Sequence, residues 1–329
     1  MVGQSKQTPV IPGAARAPGT SVADTLAADP VPAPPPLQEQ CYDFLGDEDI
    51  DVSRYTSPEF FQREIDTLWN RTWQWACREE HLPEAGDTWV HDVGPWSVIV
   101  VRSAEDRIQA FLNSCTHRGT RLLAEEGSGY SGGFACPFHG WSWHLDGAID
   151  TIPARWDFPH VCDSSHRLRE VSCAVWGGFV FINIDPQARP LVEYLDVLPD
   201  HFAHFPLEQR RIKLHVQKIL PCNWKAGQEA FMEAYHNFET HSSPNGGNAQ
   251  YDIFGKYVTR FIHNIATYSP ESLDDYPGDK FRNPPPPQDG GAARAAAAEQ
   301  LRKERSAKTG VDLSQVSDSL MLDSIEYHL

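Results

Sequence analysis

A chain of 329 residues, 40% hydrophobic and with ten Trp, can bury a large core as one big domain or two smaller ones. Its formal charge of −17 repels nucleic-acid backbones and anionic membrane surfaces alike, so neither is expected as the main partner. No basic segment leads into an apolar run at the N-terminus and no stretch nears the ~18 apolar residues of a membrane span, which leads us to expect a cytoplasmic protein.

Residues 1–41 hold eight prolines and no aromatic side chain, a composition expected to stay disordered. A helix is predicted over "SPEFFQREIDTLWNRTW", with Ser57 as cap, Pro58 at the first helical position, and Phe61, Ile65, Leu68 and Trp69 at helical spacing. From Thr88 the period shortens toward two, in "TWVHDV", "WSVIVVR", "IQAFLN", "FACPFHGWSWHLDGAI" and "VSCAVWGGFVFINI". Turn signals at Gly94-Pro95, Asp146-Gly147 and Gly177-Gly178 separate these runs, which predicts a small antiparallel β domain. Beyond Pro186 a strand is expected in "RIKLHVQKIL", then a helix from Asn223, its N-cap, to Phe238, and further strands in "QYDIFGKYVTRFIHNIATY". In "NPPPPQDGGAARAAAAEQLRKERS" the Pro/Gly part reads as loop and the Ala-rich part as a solvated helix.

Two constellations carry chemistry. The first is Cys115-x-His117, eighteen residues, then Cys136-x-x-His139. Two close Cys/His pairs on facing turns make a four-ligand site, suited either to a tetrahedral zinc or to a two-iron cluster held by two thiolates and two imidazoles. Gly119, the run Gly127 to Gly133, Pro137 and Gly140 favour the cluster, because they let backbone N–H groups approach its sulfides, and Trp141 can shield it from water. Cys41, Cys77, Cys162, Cys173 and Cys222 have no ligand partner at short spacing and read as plain thiols, not disulfides. His144, His160 and His166 lie near the motif but off it.

The second constellation is "FMEAYHNFETH". Glu233 and His236, three apart, share a helix face, whereas His236 and His241 stand about 140° apart on a regular helix and meet at one metal only if the helix breaks between them. A di-iron carboxylate site would need a second Glu-x-x-His, which the chain lacks.

The segments "CTHRG", "CPFHGWSWHLDG" and "NWKAGQEAFMEAYHNFETH" resemble the large subunits of Rieske non-haem iron oxygenases of the aromatic-ring-hydroxylating type, over about residues 45–329. The resemblance implies an α+β chain in which an antiparallel Rieske β domain precedes part of a helix-grip, START-like catalytic domain. The implied limits are a tail at 1–41, a helical segment at 42–85 packing on the catalytic domain, the Rieske domain at 86–186, and an incomplete catalytic domain at 187–329. It further implies a [2Fe-2S] cluster on Cys115, His117, Cys136 and His139 and a mononuclear Fe(2+) on His236 and His241. Glu233 becomes the inter-subunit bridge for electrons, where most of the family has Asp. An NAD(P)H-linked reductase, with or without a ferredoxin, would supply electrons. O2 and a small apolar or aromatic molecule would be substrates, with a hydroxylated, dihydroxylated or dealkylated product. The oligomer would be a trimer-like ring, alone or with a small β subunit. The family's third iron ligand, a carboxylate, falls downstream of "LDSIEYHL", itself the expected start of a core strand, so the sequence reads as truncated; Asp312, Asp318 and Asp323 come too early and read as solvated charges. The alternative is a Rieske-type electron-transfer protein or an inactive fragment.

Overall fold

The computed structural model describes residues 20–46, 48–124, 127–233, 236, 249–264 and 290–329. Contacts divide the chain into two compact units.

The first unit comprises Val52–Tyr194 and Phe202–Lys218. Its main sheet is seven-stranded and antiparallel throughout, in the order β1 (Gln74–Arg78), β10 (Phe179–Asn183), β9 (Glu170–Trp176), β4 (Arg107–Leu112), β3 (Trp96–Ala104), β2 (Asp87–Val93) and β5 (Gly127–Tyr130). A small sheet of β6 (Phe134–Ala135), β7 (Ser142–Trp143) and β8 (Ile149–Thr151) completes it. The three expected turns close hairpins, with left-handed φ at Gly94, Gly147, Gly177 and Gly178. β3 explains the continuous apolar run in "SVIVV". Ile99 and Val101 face a core shared with Phe134 and Trp143 of the small sheet, while Val98 and Val100 face a second core with Cys77, Leu82, Val180 and Ile182. A strand buried on both faces cannot alternate.

The predicted helix is present at Pro58–Glu64, and Ser57 Oγ accepts the Phe60 N–H at 3.1 Å. It widens to a π-type turn over Ile65–Trp69. Ile65 is buried, but Phe61 and Leu68 are exposed. This helix belongs to the first unit: a Cβ on Gly94 would strike Ile65, and Trp96 donates its indole N–H to Asn70 at 2.6 Å. The β domain also begins earlier than residue 86, because β1 pairs with β10. Residues 211–220 differ from expectation. They form no strand, and Leu214, Val216 and Ile219 are exposed. The sequence alternates as a strand does, but no ladder partner exists among the described residues.

The second unit comprises Met1–Asp51, Leu195–His201 and Ile219–Leu329. Its antiparallel sheet runs β11 (Ala249–Phe254), β12 (Val258–His263), β13 (Ser324–His328), the last being the strand expected at "LDSIEYHL". The described end of the tail, residues 20–41, is ordered, contrary to its composition. Ser21 and Asp24 form a capping box on the helix Val22–Ala27, and Val22, Leu26, Ala33 and Leu37 pack on Ile262 of β12. Arg260 adds to this, with its guanidinium donating to Asp252 and to the carbonyls of Pro36 and Glu39. The proline-rich segment is therefore held by side chains more than 200 residues away, which composition does not reveal.

The Ala-rich helix is present at Gly290–Thr309, but one of its faces is buried through Arg294, Ala298 and Arg302, four residues apart. Arg294 pairs with Asp323 and Arg302 with Asp318. The side chains of both aspartates are buried, so they are not the solvated charges expected from sequence.

A paired-loop metal centre and the Glu233–His236 pair

Two loops carry the four predicted cluster ligands, and they close in the same way. Cys115 donates its N–H to the Thr120 carbonyl and accepts the Gly119 N–H, both at 2.8 Å; Cys136 donates to the Trp141 carbonyl at 2.7 Å and accepts the Gly140 N–H at 3.0 Å. In each case the ring closes through a glycine four residues after the cysteine, at φ +77° for Gly119 and +74° for Gly140, a region that side chains with a Cβ rarely adopt. The other glycines serve differently. Those of 127–133 do not approach the centre: Gly127–Tyr130 pairs with β2, and Cβ atoms at Gly129 and Gly133 would strike Thr88 and the Trp143 carbonyl at 2.9 Å.

The thiols lie inside, each 3% exposed, and are hydrogen-bonded to one another; the His117 and His139 rings lie outward, with centroids 5.0 Å apart and His139 at the surface. Burial raises the Cys115 thiol against N–H groups of His117 and Arg118 that favour its anion. Burial acts on Cys136 too, but N–H groups of His139 and Phe138, with Cys115 and Thr120, outweigh it and lower that thiol. Backbone donors aimed at both sulfurs are what a thiolate-bound cluster requires. Desolvation first, then His139 and Arg118, lower the pKa of His117 and favour the neutral imidazole that ligates metal. Among the described residues no three His, Cys, Asp or Glu converge on one point. A two-iron cluster needs only two ligands at each iron, so the donor set and its inner-thiol, outer-imidazole arrangement fit a [2Fe-2S] group and disfavour a single tetrahedral zinc.

Trp141 stacks on His117 at 4.8 Å and 7°, as its place after the last ligand suggested. Two supports were not foreseen. Asn113 is buried, donates to Ser97 and the Leu123 carbonyl, and accepts the N–H groups of Leu122 and Leu123, which pins the first loop to β3. Phe158 stands edge-on to both Trp141 and His117, at 5.4 and 6.0 Å. Its position seventeen residues past Trp141 gives no local signal. His166 contributes its carbonyl, which accepts from Thr116 and from the Trp143 indole, each at 3.0 Å.

In the second unit Asn223 caps a helix as expected, its side chain accepting the Lys225 N–H at 3.0 Å, but the helix Trp224–Glu229 stops short of the expected end at Phe238. Glu233 and His236 are brought together: one carboxylate oxygen accepts the His236 N–H at 3.0 Å and the other bonds Nδ1, which leaves Nε2 as the ring's remaining ligand atom. His241 lies outside the described residues. Asp318 and Asp323 are committed to arginines, and Asp312 is exposed and accepts the Ser314 N–H.

A model described as the Rieske [2Fe-2S] domain matches residues 72–161. The large subunit of anthranilate 1,2-dioxygenase from Acinetobacter baylyi is 29% identical over 213 residues, 61% of this chain and 45% of that one. The glycine betaine monooxygenase oxygenase subunit from Chromohalobacter salexigens is 27% identical over 208 residues, 63% of this chain and 46% of that one. The chain thus spans a little under half the length of these relatives. Naphthalene 1,2-dioxygenase from Rhodococcus sp. superposes with a TM-score of 0.57 at 26% identity, covering 64% of this chain and 52% of that one. A quaternary ammonium Rieske monooxygenase bound to L-carnitine shares the fold, with a TM-score of 0.57 at 22% identity over 66% of this chain and 64% of that one. Loop closure, cysteine burial and these likenesses agree that residues 72–161 match a Rieske [2Fe-2S] domain and that the chain is similar, over part of its length, to large subunits of Rieske oxygenases.

Proposed function

We propose that the protein is a Rieske oxygenase large subunit, which uses O2 and electrons from an NAD(P)H-linked reductase to hydroxylate, dihydroxylate or dealkylate a small molecule. The observation that carries this reading is the joint presence of the paired Cys/His loops and, downstream, a histidine oriented by its own carboxylate. When bound, the [2Fe-2S] group supplies single electrons at a raised potential and a mononuclear ferrous ion supplies open positions for O2. Cys115 and Cys136 would hold the cluster through their buried thiols, and His117 and His139 would hold it from the side where His139 reaches the surface. Trp141 and Phe158 keep water from His117. Glu233 fixes the His236 ring and tautomer, and with His241 that imidazole would hold the iron; bridging to the cluster of a neighbouring subunit is the second role proposed for Glu233. The assembly is a homo-oligomeric ring, with or without a small β subunit, and a ferredoxin is the optional intermediary. Seven free cysteines suit the reducing cytoplasm, and no described helix is long and apolar enough to cross a membrane.

Anaerobic metal analysis tests the reading. Acid-labile sulfide with two cluster irons per chain, plus one iron lost in His236→Ala with the visible spectrum unchanged, is the expected result. Stoichiometric zinc without sulfide overturns it. A reducible cluster whose reoxidation by O2 and substrate ignores His236→Ala identifies an electron carrier instead.

A further inference from the structure

The two imidazoles of the paired loops stand in unlike surroundings. His139 is exposed, and Phe138, itself 66% exposed, is tilted against it at 4.3 Å. His117 is walled by two rings. The buried Trp141 lies parallel to it at 4.8 Å and 7°, and Phe158 stands nearly perpendicular to both, 6.0 Å from His117 at 83° and 5.4 Å from Trp141 at 88°. An imidazole bound through one nitrogen can turn about that bond, and a parallel ring over its face with a perpendicular ring beside it removes the freedom.

Trp141 comes with its ligand loop, but Phe158 is brought by a third loop that has its own fixings. The chain turns at Ala154, whose φ of +53° is a left-handed value that a residue with a Cβ keeps only where its surroundings fix the path. Arg155 then closes the loop by donating to the Val161 carbonyl at 2.9 Å and to Asp163 at 2.7 Å. Between those ends the Phe158 N–H donates to the Arg155 carbonyl at 3.0 Å, and the Phe158 carbonyl accepts the Val161 N–H at 3.1 Å. Val161 is buried in the same core as Cys115, Cys136 and Trp141, with Phe158 packed against it. Trp156, two residues before Phe158, is 83% exposed, so the loop gives one aromatic ring to the site and one to solvent.

We propose that Phe158 is a positioning residue of the cluster, which locks the His117 ring against Trp141 and, by keeping water from that side, lowers the reduction potential. The inference rests on the cluster reading of the paired loops. Its sign follows from charge. With neutral imidazoles the charges of two ferric ions, two sulfides and two thiolates cancel, and the electron that reduces the cluster leaves one net negative charge, which a dry aromatic wall stabilises less than water does. A cluster walled in this way passes its electron on more readily than one open to water on every side.

Redox titration of the full chain at one fixed pH, followed by visible circular dichroism, tests this along the series Phe158→Leu, Phe158→Val and Phe158→Ala, with Trp156→Ala as a control from the same loop. The potential is expected to rise in that order. For Phe158→Ala the reduction equilibrium constant should grow about tenfold, which is ~59 mV for one electron. The paramagnetic resonance signal of the reduced cluster should broaden at the same time, as His117 takes more than one orientation, and Trp156→Ala should match the parent in both readouts. If Phe158→Ala does not retain the cluster, the order of the parent, Phe158→Leu and Phe158→Val decides. A flat or falling series, or an equal shift in Trp156→Ala, overturns the proposal and leaves Phe158 as core packing. Acid-labile sulfide, measured first in the parent chain, separates the two readings: sulfide with a flat series removes only the role of Phe158, whereas its absence removes the cluster and the proposal together.

Discussion

At the scale of single residues, the proposed cluster ligands are set apart by position rather than by type. Cys115 and Cys136 lie in glycine-closed loops with N–H groups directed at sulfur, whereas Cys173 is a half-buried thiol that desolvation pushes up to about 12 and Cys162 is exposed. Cys115→Ala or Cys136→Ala should abolish the visible absorption of the cluster, and Cys162→Ser or Cys173→Ser should leave it intact; bleaching by either serine variant would reassign the ligands. Asn113 is the residue on which the first loop hangs. Asn113→Ala strands the N–H groups of Leu122 and Leu123, and urea unfolding should show a loss of about 2–4 kcal/mol. The proposed ligands could be picked out in the sequence because Cys-x-His, Cys-x-x-His and the glycine at the fourth place beyond each cysteine are local patterns. Asn113 and Phe158 were not, since their partners are chosen by the fold.

At the scale of elements, pattern without partner misled in both directions. The strand-like "RIKLHVQKIL" alternates correctly but pairs with nothing described, while the proline-rich segment 20–41 lacks any periodicity and is nevertheless seated on β12. Asp318 and Asp323 were misjudged for a related reason, because the arginines that neutralise them lie 16 and 29 residues away along a helix whose composition looks uniformly solvated. The segment 20–41 should behave as part of its unit. Leu37→Ala, at the contact with Ile262, should lower stability by about 2–4 kcal/mol. Arg260→Ala leaves Asp252 buried and unpaired and frees two backbone carbonyls, for which about 3–5 kcal/mol is expected. Both are checked by denaturant titration, and a change below ~0.5 kcal/mol in either would show the segment to be merely draped over the sheet.

At the scale of the whole molecule, acid should act on the second unit through its histidines. Burial, the largest cause in each case, holds the pKa of His201, His263 and His328 below 6.5 in the folded chain. A depressed folded value means that the unfolded chain takes up protons first, so stability is fully present above pH 6.5 and declines as the pH falls from there through the folded values. Unfolding followed at pH 7.5 and 5.5 by fluorescence should show the loss, and equal stability at both would refute the burial of these rings. The antiparallel β domain and its two closed loops were readable from sequence because hairpins and tight loops join near neighbours; the second unit was less so, because its parts meet across the length of the chain. The Asp29 carboxylate, for one, accepts from the backbone and hydroxyl of Ser319 across 290 residues. A ribosome adding roughly 5–20 residues per second takes about 15–60 s to cover that distance. Val22, Leu26 and Leu37 wait somewhat less long, until β12 more than 220 residues later has emerged; this segment is therefore made well before it can fold, and its apolar side chains are exposed meanwhile to chaperones, proteases and other nascent chains.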